Sequence, residues 1–228
     1  MFCQWIELTQ WTPEQFNIAA ATFRKVFGHL YLLRTSFKTG SVPLGLLGFK
    51  EGGPDWTTVA RRCDFESRNG RVLDPLCRHV EGVAMLYLGE YVPPAEFENR
   101  VNTLGNLRIE LSACRQLVSQ DPDNYYSGSG AAWLGLLRDQ LVEVASEKAM
   151  PESLKPYPQT GFLAAKLEIA VEGSDPSATT LARKLIAEMP DSALSDPQAD
   201  WALWPGNRLP WAVLGIPRPV GVQRFDRK

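Results

Sequence analysis

The sequence predicts an α+β fold dominated by helices: a mixed strand–helix–strand N-terminal part, a helical C-terminal part and an extended tail. Three observations predict it. A strong helix signature over residues 13–27 lies between two short β-prone segments. From Pro94 onward, apolar residues recur at spacings of three and four, the period of a helix face. Beyond residue 204, prolines are too frequent for a continuous helix.

The first helix is written locally in Trp11-Thr12-Pro13-Glu14-Gln15-Phe16. Thr12 can accept from the Gln15 N–H while Gln15 reaches back to the Thr12 N–H, a capping box. Pro13 sits at the first helical position, where its missing N–H costs nothing. Trp11 and Phe16 occupy the two positions of a hydrophobic staple. Phe16, Ala19, Ala20, Phe23 and Phe27 then recur at helical spacing, and Gly28 offers a stop. Phe2–Leu8 before it and His29–Phe37 after it read as strands. Such a strand–helix–strand opening would suit one half of a ferredoxin-like fold, an analogy of arrangement that carries no function.

The segment 38–54 holds five glycines and is expected to be irregular. A short helix follows Pro54, an Asn69-Gly70 turn closes it, and Val83–Tyr91 reads as a further strand. Phe97, Val101, Leu104, Leu107, Leu111, Cys114 and Val118 form the stripe of a long helix that Gly105 could divide. Leu134, Leu137, Leu141 and Val144 repeat the pattern. Phe162–Val171 and Leu181–Met189 are expected helices, the second introduced by Ser174-Asp175-Pro176. The regions are thus 1–123 mixed, 124–204 helical and 205–228 extended, all compatible with one domain.

At 228 residues the chain can bury roughly 70–75% of its unfolded surface without a staple. Its 44% hydrophobic and 22% charged residues exclude a disordered or fibrous chain. Four scattered cysteines with no C-x-x-C pair argue against a disulfide framework. The opening MFCQWIELTQ lacks the basic start of a secretory leader, and the longest uncharged run, residues 124–137, is too short and polar to span a bilayer. The expectation is a soluble cytoplasmic protein with no membrane partner. Charge is segregated: residues 121–200 carry six Lys/Arg against thirteen Asp/Glu, whereas residues 201–228 carry five against one. Such a gradient speaks against a chain that coats nucleic acid along its whole length.

The most motif-like stretch, Ser127-Gly128-Ser129-Gly130, lacks the lysine of a phosphate-binding loop and the three glycines of a dinucleotide fingerprint. Asp121 and Asp123 upstream would repel a phosphate but suit a helix N-terminus, so the loop reads as a cap. No G-x-S-x-G occurs. His29, one of two histidines, opens an apolar segment and reads as structural. Cys63, Cys77 and His79 lack the paired spacing of a structural zinc site. Asp139, Glu143 and Glu147 share a helix face pointing away from the leucine stripe, which is the pattern of a solvated surface. No catalytic residue, metal or cofactor is expected.

Two surfaces remain. Arg61, Arg62, Arg68, Arg71 and Arg78 crowd one segment, and guanidinium forks match phosphate geometry, although Asp64, Glu66 and Asp74 interrupt them. With Arg224, Arg227 and Lys228 they would make a nucleic-acid-binding face. The tail places Trp204, Trp211 and Arg218 among prolines, too apolar for a solvated linker. It must rest on this protein's own core or on a partner, and Trp and Arg are favoured interface anchors. The leading expectation is a non-enzymatic subunit that docks a protein partner through this tail; nucleic-acid binding is the alternative.

Overall fold

The computed structural model describes residues 1–7, 11–35, 43–70, 75–103, 105, 109, 150–190 and 213–215. Their four strands and five α-helices make a helix-dominated α+β chain. Contacts divide it into two compact units, residues 1–35, 39–53 and 88–146 in one, and residues 36–38, 54–87 and 147–228 in the other.

The first unit opens with strand β1 (Phe2–Glu7), helix α1 (Pro13–Phe27) and strand β2 (His29–Arg34). The capping box forms as its residues dictate. Thr12 Oγ1 accepts from the Gln15 N–H at 3.2 Å, and Gln15 Oε1 accepts from the Thr12 N–H at 3.0 Å. Gly28 ends the helix at φ +82°, its N–H donating to the Arg24 carbonyl. That backbone region is open to glycine and strained for other residues.

The glycine-containing stretch 38–54 departs from expectation, because strand β3 (Pro43–Phe49) runs through it. β3 lies between β1 and β2, antiparallel to both, in a sheet of order β1-β3-β2-β4, so β1-α1-β2 is a split β-α-β unit. The glycines of this strand supply room rather than turns. A Cβ on Gly48 would stand 2.4 Å from the Phe27 ring, and one on Gly45 would stand 2.9 Å from the Trp5 ring. Close approach of a large neighbour is one of the established reasons for glycine inside a strand. Phe2 stacks on Phe27 with ring centroids 5.6 Å apart, and Phe23 stands 5.9 Å from Phe2. Below this cluster Phe16, Leu30, Leu32, Leu44 and Leu46 are buried, and Tyr91 meets Phe16 edge-on at 5.1 Å. The Tyr91 hydroxyl donates to Asn17 Oδ1 at 2.7 Å. Arg34 is buried too, and burial pulls its guanidinium down to about 10, so it stays charged at neutral pH.

The expected strand Val83–Tyr91 is also corrected. It divides into helix α3 (Val80–Leu86) and strand β4 (Tyr87–Glu90). In the second unit α3 packs on helix α4 (Tyr157–Glu172), which packs in turn on helix α5 (Ala178–Glu188). The α3–α4 approach is backbone-close: a Cβ on Gly161 would lie 1.7 Å from the Met85 carbonyl oxygen. Gly82, Ala84, Met85 and Leu86 are buried as a result, and this packing overrides their β-prone neighbours. α4 begins earlier than Phe162 and is buried almost all round, whereas α5 follows the Asp175 turn, in which Asp175 Oδ1 accepts from the Ser177 N–H at 2.7 Å.

The long helix expected from Phe97 does not start there. Ala95–Phe97 is a single 3-10 turn, and residues 100–103 are not helical. Arg100 pairs with Glu14 of α1 and lies over the Phe97 ring at 5.1 Å, while the Asn102 N–H donates to Thr22 Oγ1 at 2.8 Å. These bonds bind the segment to the flank of α1 in place of a helical ladder. Leu104, Leu107, Leu111, Cys114 and Val118, the 127–130 loop, the 134–144 stripe and Asp139, Glu143 and Glu147 lie outside the described residues.

Candidate functional site

Helix α2 (Trp56–Arg68) carries most of the arginine segment. Asp55 starts it. One Asp55 carboxylate oxygen accepts from the Thr57 and Thr58 N–H groups at 3.1 and 3.2 Å, and the other from the Thr58 hydroxyl at 2.7 Å. The Thr58 side chain first, then the backbone N–H groups and the Arg61 charge, hold this carboxyl below its usual range. Trp56 and Cys63, seven residues apart, are the buried positions of α2, and the Trp56 ring meets Tyr87 edge-on at 5.1 Å.

Fixing that inward stripe fixes the outward one. Arg61, Phe65 and Arg68 fall at i, i+4 and i+7 on one helix face, and all three are exposed, as are Arg62 and Asp64. Phe65 keeps 50% of its surface open to solvent. Among the described residues, Arg61, Arg62 and Arg68 form no ion pair within 4 Å. Arg78 occupies a half-buried position of the 3-10 turn Pro75–Arg78. Arg71, Trp204, Trp211, Arg218, Arg224, Arg227 and Lys228 lie outside the described residues. Phe65 is the residue that sequence reasoning missed. Its spacing of four from Arg61 and three from Arg68 is the signal in the sequence that could have found it.

A second constellation lies in the first unit. Glu90 Oε1 accepts from Arg24 Nη1 at 2.9 Å and lies 3.0 Å from His29 Nδ1, while Arg24 Nη1 also reaches the Tyr91 carbonyl at 3.2 Å. Beside it opens a groove of about 500 Å³ lined by Arg24, Lys25, Gly28, Val92 and Glu98. Glu90 thereby fastens the end of α1 and the start of β2 to the end of β4. Among the described residues no hydroxyl or thiol is hydrogen-bonded to His29. No three His, Cys, Asp or Glu side chains converge as a metal set among the described residues, and Cys3 and Cys63 are in no disulfide. No described helix is long and apolar enough to cross a membrane.

No family model, curated protein or solved structure matches the chain.

Proposed function

We propose that this chain is a non-enzymatic interaction subunit of a larger cytoplasmic assembly, docking an acidic protein surface. The observation that carries the reading is the α2 face, where exposed Arg61, Arg62 and Arg68 surround half-exposed Phe65. Aromatic and arginine side chains are enriched among the residues that dominate binding energy, and an exposed aromatic flanked by guanidiniums offers both apolar area and charge. The tail anchors Trp204, Trp211 and Arg218 belong to the same reading as a second contact.

The test is co-purification of the partner with wild type, Phe65→Ala and Arg61→Glu plus Arg68→Glu, after nuclease treatment. Each variant is expected to lose the partner at least about tenfold while keeping its helical signal. Deleting residues 205–228 should weaken the partner further and leave a folded core. Partner retention by both α2 variants would remove the reading, and loss of folding on tail deletion would mean that the tail wraps its own core.

The same face favours one other reading. An exposed Phe between arginines is also what single-stranded nucleic acid uses, stacking a base on the ring and its phosphates on the guanidiniums. Three such phosphate contacts predict a loss of about 20-fold in affinity on a fourfold rise in salt. Arg61→Ala plus Arg62→Ala should flatten that dependence. Absent or salt-insensitive binding to an oligonucleotide eliminates this alternative.

A further inference from the structure

Strand β1 stands at the end of the sheet, with β3 on its inner side. Among the described residues nothing pairs with its outer side, and Met1, Phe2, Cys3, Gln4 and Trp5 are all exposed. Folded proteins ordinarily blunt such an edge with lysine, proline, a bulge or a very short strand. Among the described residues β1 has none of these. Its sequence is FCQWIE, and its register against β3 runs without interruption from Phe2↔Gly48 to Glu7↔Pro43. It also neighbours an unusual share of the open apolar surface. Of the six large hydrophobic residues exposed among those described, Met1, Phe2 and Trp5 lie on or beside this strand.

We propose that the outer edge of β1 is a homotypic interface, on which a second copy of this chain adds its own β1 in antiparallel register. A two-fold axis normal to the sheet keeps the same faces of both copies together, so facing positions must have the same parity. Centring the axis on Gln4 pairs the most residues: Phe2 then faces Ile6 of the partner subunit, and Cys3 faces Trp5 of the partner subunit. The register suits the charges as well. Phe2 to Ile6, the residues that this register pairs, carry no charge, and a run this neutral offers nothing to an acidic or basic peptide. On the α1 side the Phe2–Ile6 pairs extend the Phe2/Phe23/Phe27 cluster from one copy toward the other. A pairing of two short edge strands is small beside the interfaces of permanent dimers, so the dimer is reversible and concentration-dependent. This inference is independent of the α2 surface, which belongs to the other unit.

Sedimentation velocity on the full chain tests it. Wild type should pass from monomer to dimer as concentration rises through the micromolar range. Gln4→Lys sets two ammonium groups against each other at the axis and should raise the dissociation constant at least about tenfold. Gln4 is exposed and its one described bond is to the Trp5 carbonyl, so the substitution leaves the fold intact. Register is checked with Gln4→Cys in a Cys3→Ser background. Facing Cα atoms about 4.5–5.5 Å apart lie within disulfide reach. Mild oxidation should give a covalent dimer that Cys3→Ser alone and the exposed helix variant Val26→Cys lack. A monomer at every concentration, a dimer indifferent to Gln4→Lys, or failure of the Gln4→Cys cross-link would each overturn the proposal.

Discussion

Gly45, Gly48 and Gly161 show how differently one residue type can be constrained. Each would carry a Cβ into a neighbour, but the neighbours differ in what they can yield. At Gly161 the obstacle is the Met85 backbone, at Gly48 a packed Phe27 ring, and at Gly45 the ring of half-exposed Trp5. Alanine at Gly161 should therefore cost about 3 kcal/mol or more, despite the ~1 kcal/mol that alanine gains in a helix. Gly48→Ala should cost about 1–3 kcal/mol, and Gly45→Ala least, because Trp5 can swing outward. Urea midpoints rank the three, and an inverted order would show that the rings rather than the backbones are fixed. Tyr91 gives a titration prediction. Burial pushes its phenol well above the ordinary range, so the unfolded chain loses this proton near pH 10 while the folded chain keeps it. The stabilisation is complete below that pH and declines as pH rises above it. Tyr91→Phe should flatten this alkaline decline and, by leaving Asn17 Oδ1 without its donor, cost about 1–2 kcal/mol at neutral pH.

Helix α1 was legible because everything that starts and stops it lies within a turn of its ends. Thr12→Ala should cost about 1 kcal/mol, read from thermal unfolding, and Thr12→Ser should recover most of it. Helix α2 begins on equally local terms, and its cap makes an acid-side prediction. The Asp55 carboxyl is held down in the folded chain, so its contribution is present above the unfolded carboxyl range and disappears as pH falls through the lower folded value. Protection of the Thr57 and Thr58 amides, measured against their intrinsic exchange at each pH, should fall in that window, and Asp55→Ala should abolish this pH dependence. Strand β3 and the α3–β4 division were not legible. Gly45 and Gly48 have the composition of a loop until Trp5 and Phe27 fill the space above them, and Val83–Leu86 has the composition of a strand until Gly161 draws α4 against it. The outward face of α2 lies between these cases. Its Arg61–Phe65–Arg68 spacing was present in the residues, but it becomes a face only once Trp56 and Cys63 are known to point inward.

Across the molecule, neither compact unit is a continuous stretch of chain. The second unit joins α2 and α3 to helices that follow some seventy residues later, α4 and α5. A chain ending at Lys155 would retain α2 and α3 but lose the helices on which α3 rests. Hydrogen exchange over residues 56–86 should then approach unfolded rates; persisting protection would show that α3 is held by something other than α4.

Composition, period and capping chemistry were enough to establish an α+β chain rich in helix, the limits of α1, the onset of α2 and the position of the arginine segment. Each of these depends on hydrogen bonds or spacings that close within a few residues, so the local chain contains all the interacting parties. Folding in three dimensions decided the insertion of β3 between β1 and β2, the division of residues 80–90, the clamp of Arg24 and His29 on Glu90 and the exposure of Phe65 and of the β1 edge. Those outcomes turn on which ring, carbonyl or carboxylate arrives from far along the chain, and no local pattern encodes that arrival.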